Sequence, residues 1–233
     1  MSTQTSPQTL PPLDRERPAR TTTALLALGC FWSPDALFGA LPGVVRTSSG
    51  YAGGTKDAPT YRALGDHTET VEVEYDPEQT SYEALLEAVW EGHDPTRRSW
   101  KRQYRSALFT LDEEQVATAR TSKAQADEQT DSTIRTAIEP VERFHLAEGY
   151  HQNHGLRQHA DFERVFKDRY PDAEDFAHSS AASRVNGYLG GYGSREQLER
   201  EVERLGLPEE LQGELRHLHE RAARPSVWQR LFG

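Results

Sequence analysis

Cysteine is nearly missing from this chain: Cys30 is the only one in 233 residues. That excludes an intramolecular disulfide and fits a reducing cytosol. Long apolar runs are also missing, and none approaches the roughly 20 residues that cross a bilayer. There is no excess of positive charge. Lys and Arg number 27 against 37 Asp and Glu, a formal net charge of −10, which argues against non-specific nucleic-acid binding. Residues 1–20, "MSTQTSPQTLPPLDRERPAR", lack the apolar stretch of a secretory signal, so none is expected. The nine histidines show no metal-ligand spacing, and His145, His151 and His154 have no companion cysteine pair. "GYAGG" has no phosphate-binding pattern, and "GYLGGYG" lies outside any strand-to-helix frame. No metal and no bound cofactor are expected. No fixed-period repeat is present.

What is there reads as an alternation of strands and helices. Residues 1–20 are polar with four prolines and read as a disordered arm. "TTALLALG" (Thr22–Gly29) is a buried strand, and a helix follows from about Ser33, with Pro34 and Asp35 suited to its first turn. "GVVRTSSGYAGG" is a strand running into a glycine-rich loop. "ETVEVEYDP" alternates Val71, Val73 and Tyr75 with Glu72, Glu74 and Asp76, a half-exposed strand. "SYEALLEAVWEGH" is a helix capped by Ser81. "QYRSALFTL", "DEEQVATARTSKAQADEQ" and "IRTAIEPV" continue as strand, helix and strand. This order implies a two-layer α/β (α+β) sandwich with a mixed sheet and a ferredoxin-like core. Residues 21–170 read as the core domain and 171–233 as a helical extension, with "SREQLEREVERLG" and "PEELQGELRHLHERAAR" as charged amphipathic helices.

The chemistry centres on "LALGCFWSPDALFG". At a strand-to-helix turn, Cys30 meets backbone N–H groups and the positive end of a helix, both of which favour the thiolate. By its residues alone the position reads either as a nucleophile or as a small buried hydrophobe. Its company decides. "GCFW", "GYAGG", "PTY", "HTE", "YDP", "SYEALLEAVWEGHDPT", "QYRSALF" and "AEGYHQNH" follow one another in that order. From Ala24 to His154 the chain thereby resembles the peptide methionine sulfoxide reductases of the A type. The resemblance implies a two-layer α/β fold and reduction of the S epimer of methionine sulfoxide, free or in proteins, as a repair activity.

It also implies the site. Cys30 is the nucleophile, with Phe31 and Trp32 as an aromatic wall for the substrate methyl. Glu69 stands at the position of the acid that protonates the sulfoxide oxygen. Tyr61 and Tyr104 match the two hydroxyl donors to that oxygen. His67, two residues before the acid, is expected in the substrate pocket, and His93, Asp94 and Pro95 end a helix and shape it. Read without the resemblance, Glu69 is a solvated strand carboxylate and the tyrosines are packing.

Three departures from the family pattern stand out. "RRSWKR" (97–102) replaces a longer segment whose aspartate lines the pocket, so no aspartate is carried over. The run between Tyr61 and His67 is shortened. There is no further cysteine near the C-terminus to resolve a Cys30 sulfenic acid as a disulfide, so an external thiol must reduce it: thioredoxin, or glutaredoxin with a small thiol. The expected partners are that thiol protein and oxidised proteins or free methionine sulfoxide. No nucleic acid, no membrane, a monomer and a cytoplasmic location complete the expectation. The competing reading is a weakened family member that binds oxidised methionine without turning it over.

Overall fold

The computed structural model describes residues 10–222. A one-turn helix, α1 (Pro12–Arg15), precedes β1 (Thr22–Leu28). Then come α2 (Trp32–Gly39), β2 (Val44–Ala52), β3 (Thr68–Tyr75), α3 (Tyr82–Gly92) and β4 (Ser106–Thr110). Next are α4 (Glu113–Asp127), β5 (Ala137–Pro140) and β6 (Phe144–Leu146). The chain then turns helical: α5 (His154–Arg157), α6 (Ala160–Arg169), α7 (Ala173–Ala177), α8 (Ser180–Leu189), α9 (Arg195–Glu201) and α10 (Glu209–Ala222).

The sheet runs β5-β4-β1-β3-β2-β6. Its central four strands are antiparallel to their neighbours in the order β4-β1-β3-β2, which is the ferredoxin-like arrangement expected from the sequence. β5 joins β4 in parallel after the crossover through α4, and β6 pairs antiparallel with β2. Strand parity sorts the side chains. Ala24 and Leu26 of β1 and Val71 and Val73 of β3 face α2 and α3, packing with Phe38, Leu85, Leu86 and Val89. Leu25 and Ala27 point to the other face, into a smaller cluster with Phe109 and Ala52. Glu69 has the parity of Val71, so it projects from the helix-covered face. Ser81 caps α3 by accepting from the Ala84 N–H, as its position predicts, and Asp112 caps α4 the same way.

The helical layer is continuous with the end of the core domain: Leu156, Phe162, Phe166 and Tyr170 share one apolar cluster with α8, α9 and α10. The expected disordered arm is corrected for residues 10–20. Leu10 and Leu13 pack on that same cluster. The Asp14 carboxylate accepts from the Tyr170 and Ser179 hydroxyls and, at 3.1 Å, from the Ala181 N–H. The rest of the expected arm, residues 1–9, lies outside the described residues, as do residues 223–233 of the extension.

The small-residue stretch around α8 has a packing reason. All ten residues of α8 are buried. A Cβ on Gly187 would lie 2.7 Å from Ala40 and 2.8 Å from the Ala36 carbonyl, and one on Gly39 would lie 2.5 Å from the Ser183 carbonyl. Backbone-close contact between α2 and α8 therefore holds the helix that follows Cys30.

Asp35 adds a polar lock to that contact. It stands in the first turn of α2, as expected, and there it is buried and accepts from the Thr47 hydroxyl (2.5 Å), the Asn153 N–H (3.2 Å) and the Asn186 amide (3.1 Å). Burial pushes its pKa up to about 6 against the opposing pull of those donors. A folded pKa above the unfolded value of roughly 3.9 makes the folded state the tighter proton binder. This group's stabilisation is thus complete below about pH 4 and is lost as pH rises through 6, a change of about 3 kcal/mol. Asp35→Asn keeps an acceptor for Asn153 and Asn186, and its amide can donate to the Thr47 oxygen. The variant's stability should lack that decline between pH 4 and 6. Urea melts across this range test it, and parallel wild-type and variant curves would refute it.

Candidate active site

Gly29 ends β1 with φ of +103°, a conformation open to glycine and strained for other residues, and it swings the chain from the sheet into α2. Cys30 sits on that turn and is exposed. The next side chain, Phe31, is buried against Tyr51 and His151, with ring centroids 6.0 and 5.0 Å away. Trp32 is half-exposed. Its indole N–H donates to His151 Nδ1 at 3.2 Å, and its ring stacks on His154 at 3.7 Å with 6° between the planes. Tyr61 packs on His151 at 4.8 Å. One wall of the site is therefore aromatic, and His151 is its keystone.

The polar side is built around Glu69. Its carboxylate is buried; Oε2 accepts from the Phe31 N–H at 3.1 Å and Oε1 from the Gln103 amide at 2.8 Å. Burial holds its pKa above the usual carboxylate range, with Gln103, Phe31 and the Cys30 thiol pulling the other way. Cys30 is itself pushed up, first by burial and then by the charge and hydrogen bond of Glu69; the Trp32 N–H opposes this. The turn was expected to favour the thiolate. It does supply an N–H, but that effect is outweighed by burial and an adjacent carboxylate. Both groups are thus biased toward their protonated forms by the same desolvation.

Tyr104 closes the arrangement from the 3₁₀ turn Arg102–Tyr104, its hydroxyl 3.4 Å from that of Tyr61. The Tyr104 pKa is raised, first by the bond to Tyr61 and then by burial and Glu69. The shortened run after Tyr61 does not displace it. Glu148 secures it instead, accepting from the Tyr61 N–H at 3.0 Å and the Tyr51 hydroxyl at 2.8 Å.

His67 is corrected. Its Nδ1 accepts from the Gly54 N–H at 3.2 Å and its Nε2 donates to the Lys56 carbonyl at 2.8 Å. Both nitrogens are spent on the glycine-rich loop, so the ring holds that loop and has no free atom for a substrate. Gln103, Glu148 and His151 also belong to the site, in roles that no local sequence pattern signals; each lies beside Tyr104 or within "AEGYHQNH". Among the described residues no group of three or more His, Cys, Asp and Glu is arranged to hold a metal ion. No described helix is long and apolar enough to cross a membrane.

A thiol, a buried carboxyl, two phenols and an aromatic wall thus converge at the end of a ferredoxin-like sheet. The family model "Peptide methionine sulfoxide reductase" matches residues 22–184, and "Selenoprotein methionine sulfoxide reductase A, helical domain" matches residues 172–214. A peptide methionine sulfoxide reductase of Drosophila melanogaster is 41% identical over 187 residues, covering 79% of this chain and 75% of its own. Peptide methionine sulfoxide reductase A5 of Arabidopsis thaliana is 41% identical over 179 residues, covering 74% and 69%. Among solved structures, methionine sulfoxide reductase A of Corynebacterium diphtheriae aligns with a TM-score of 0.55 at 34% identity, over 62% of this chain and 77% of its own.

The chain belongs to the peptide methionine sulfoxide reductase family. It is an oxidoreductase of the A type, a peptide-methionine (S)-S-oxide reductase.

Proposed function

We propose that the chain reduces methionine-S-sulfoxide, free or in oxidised proteins, through a sulfenic acid on Cys30. What supports this is the placement of Cys30 directly before Phe31, whose N–H donates to the buried Glu69 carboxylate at 3.1 Å while Gln103 holds its other oxygen at 2.8 Å. The substrate methyl packs on Phe31 and Trp32. The sulfoxide oxygen takes hydrogen bonds from Tyr61 and Tyr104 and a proton from Glu69, while Cys30 supplies the electron pair as thiolate. Across the step, the methionine sulfur is reduced by two electrons and the cysteine sulfur oxidised by two. The oxygen ends on Cys30 as Cys–SOH and methionine leaves.

No second cysteine exists in the chain to condense with that acid. An external thiol therefore completes the cycle, whether thioredoxin or glutaredoxin with a small thiol. The first equivalent forms a mixed disulfide with loss of water, and the second restores the thiol. We place this chemistry in a monomeric chain in the cytoplasm, where thiols are kept reduced.

The test is a single-turnover reaction without reductant. One equivalent of methionine per chain should form and then stop, and mass spectrometry should find a dimedone adduct on Cys30. Adding a small thiol should restart turnover. Continued turnover with no thiol added would overturn the scheme.

A further inference from the structure

We propose that the cavity on the Gly29 side of Cys30 is a docking site for the reductant, a small peptide thiol bearing two carboxylates and one ammonium. The proposal rests on the sulfenic-acid reading above and adds the identity of the electron donor. The cavity holds about 480 Å³ and is lined by Cys30, Asp94, Arg97, Arg98, Trp100 and Tyr104 among others. That is within the roughly 300–1,000 Å³ of small-molecule sites. Its lining does not include Glu69, Tyr61, Phe31 or Trp32; it shares Cys30 and Tyr104 with them, and His93 and Asp94, expected to shape the substrate pocket, lie on this side. A thiol approaching through it therefore reaches the sulfur without displacing the groups that hold the leaving oxygen.

The charge is specific. The chain as a whole carries −10, yet residues 97–102 hold four cations in six positions. The Arg97 and Arg98 side chains are exposed; Arg97 acts on the Asp94 carboxylate through its charge, and no salt bridge within 4.0 Å or side-chain hydrogen bond ties either arginine down among the described residues. Planar guanidinium groups left open in this way suit carboxylates, which they can grip in a two-pronged fashion. The carboxylate in the lining, Asp94, has Oδ1 held by the Thr96 N–H (3.0 Å) and hydroxyl (2.7 Å), which leaves Oδ2 as a counterpart for an ammonium. Trp100 is 76% exposed, with the Lys101 ammonium 4.6 Å over its ring and the Tyr104 ring 5.7 Å away. It forms an apolar wall that a peptide backbone can cover. Two cations, one carboxylate and one indole beside a sulfur that must be reduced from outside match a free tripeptide thiol. A methionine sulfoxide within a protein chain carries neither end charge, and the free amino acid carries one carboxylate where the two arginines call for two.

The step balances. The donor thiolate attacks the Cys30 sulfenic sulfur, an S–S bond forms, and the S–O bond breaks. The oxygen leaves as water with the donor's proton and the one already on it. A second donor thiol attacks the mixed disulfide, releasing the donor's disulfide and the Cys30 thiol.

The test separates this site from the reaction it serves. Cys30 is converted to its sulfenic acid with one equivalent of sulfoxide. It is then mixed with glutathione, glutathione ethyl ester or dithiothreitol, and the rate of recovery is followed by mass spectrometry. Wild type should react with glutathione faster than with its ester, and saturably. Arg97→Ala with Arg98→Ala should slow glutathione by about tenfold to a hundredfold, the loss of one or two charge-assisted bonds. Dithiothreitol should recover both proteins equally. Equal rates for glutathione and its ester would overturn the proposal. So would equal slowing of dithiothreitol. A variant defect confined to KM for acidic sulfoxide peptides would do the same and assign the cavity to substrate. A wild type that fails to turn over with dithiothreitol would instead defeat the underlying reaction scheme.

Discussion

Cys30→Ser should leave a folded protein with no measurable sulfoxide reduction. The substitution exchanges one atom at an exposed position on a turn set by Gly29, so packing of Phe31 and α2 is unchanged. The chemistry does not survive it. A serine hydroxyl is not ionised at neutral pH and cannot store the oxygen as a reducible sulfenic acid. No other cysteine can substitute. Loss of a covalent nucleophile costs on the order of 10⁴-fold or more. Methionine release with excess dithiothreitol is the measurement, with thermal melting as the control for folding. Turnover in a clean Cys30→Ser preparation would remove the central claim.

Glu69→Gln should lower kcat by about 10²–10⁴-fold with little change in KM. Glutamine retains an acceptor for the Phe31 N–H. Gln103 can turn its amide so that its oxygen meets the new NH₂, so the local network survives. The proton for the sulfoxide oxygen is lost. The same change removes the carboxylate charge and hydrogen bond that push Cys30 up, so the thiol should titrate at lower pH. Turnover therefore falls while the thiolate fraction rises. The pH dependence of Cys30 alkylation reads the second effect and steady-state kinetics the first. Activity that rises with the thiolate would show that Glu69 restrains the thiol and supplies no proton.

The sequence alone determined the elements and singled out Cys30. Periods of 2 and 3.6, with caps such as Ser81, are local properties, and they lay out β1–α2–β2–β3–α3–β4. Chirality and short connections then leave few ways to close a sheet in that order. The motif series placed Cys30, Glu69, Tyr61 and Tyr104 in one family, and their convergence follows from the fold. What decided their states was tertiary. Gln103 reaches Glu69 across 34 residues, His151 reaches Trp32 across 119, and Asn153 reaches Asp35 across 118. None of these distances is encoded in a window of sequence. Charge state is tertiary for the same reason. The turn at Cys30 argues for a thiolate, but burial and the Glu69 carboxylate oppose it and win. His67 looked available until the Gly54 N–H and the Lys56 carbonyl took both of its nitrogens. Residues 10–20 looked unable to bury apolar surface. Leu10 and Leu13 find theirs on helices more than 140 residues away in the chain. A residue type states what a side chain can do; its desolvation and its partners, which only the folded chain brings within reach, select which of those things it does.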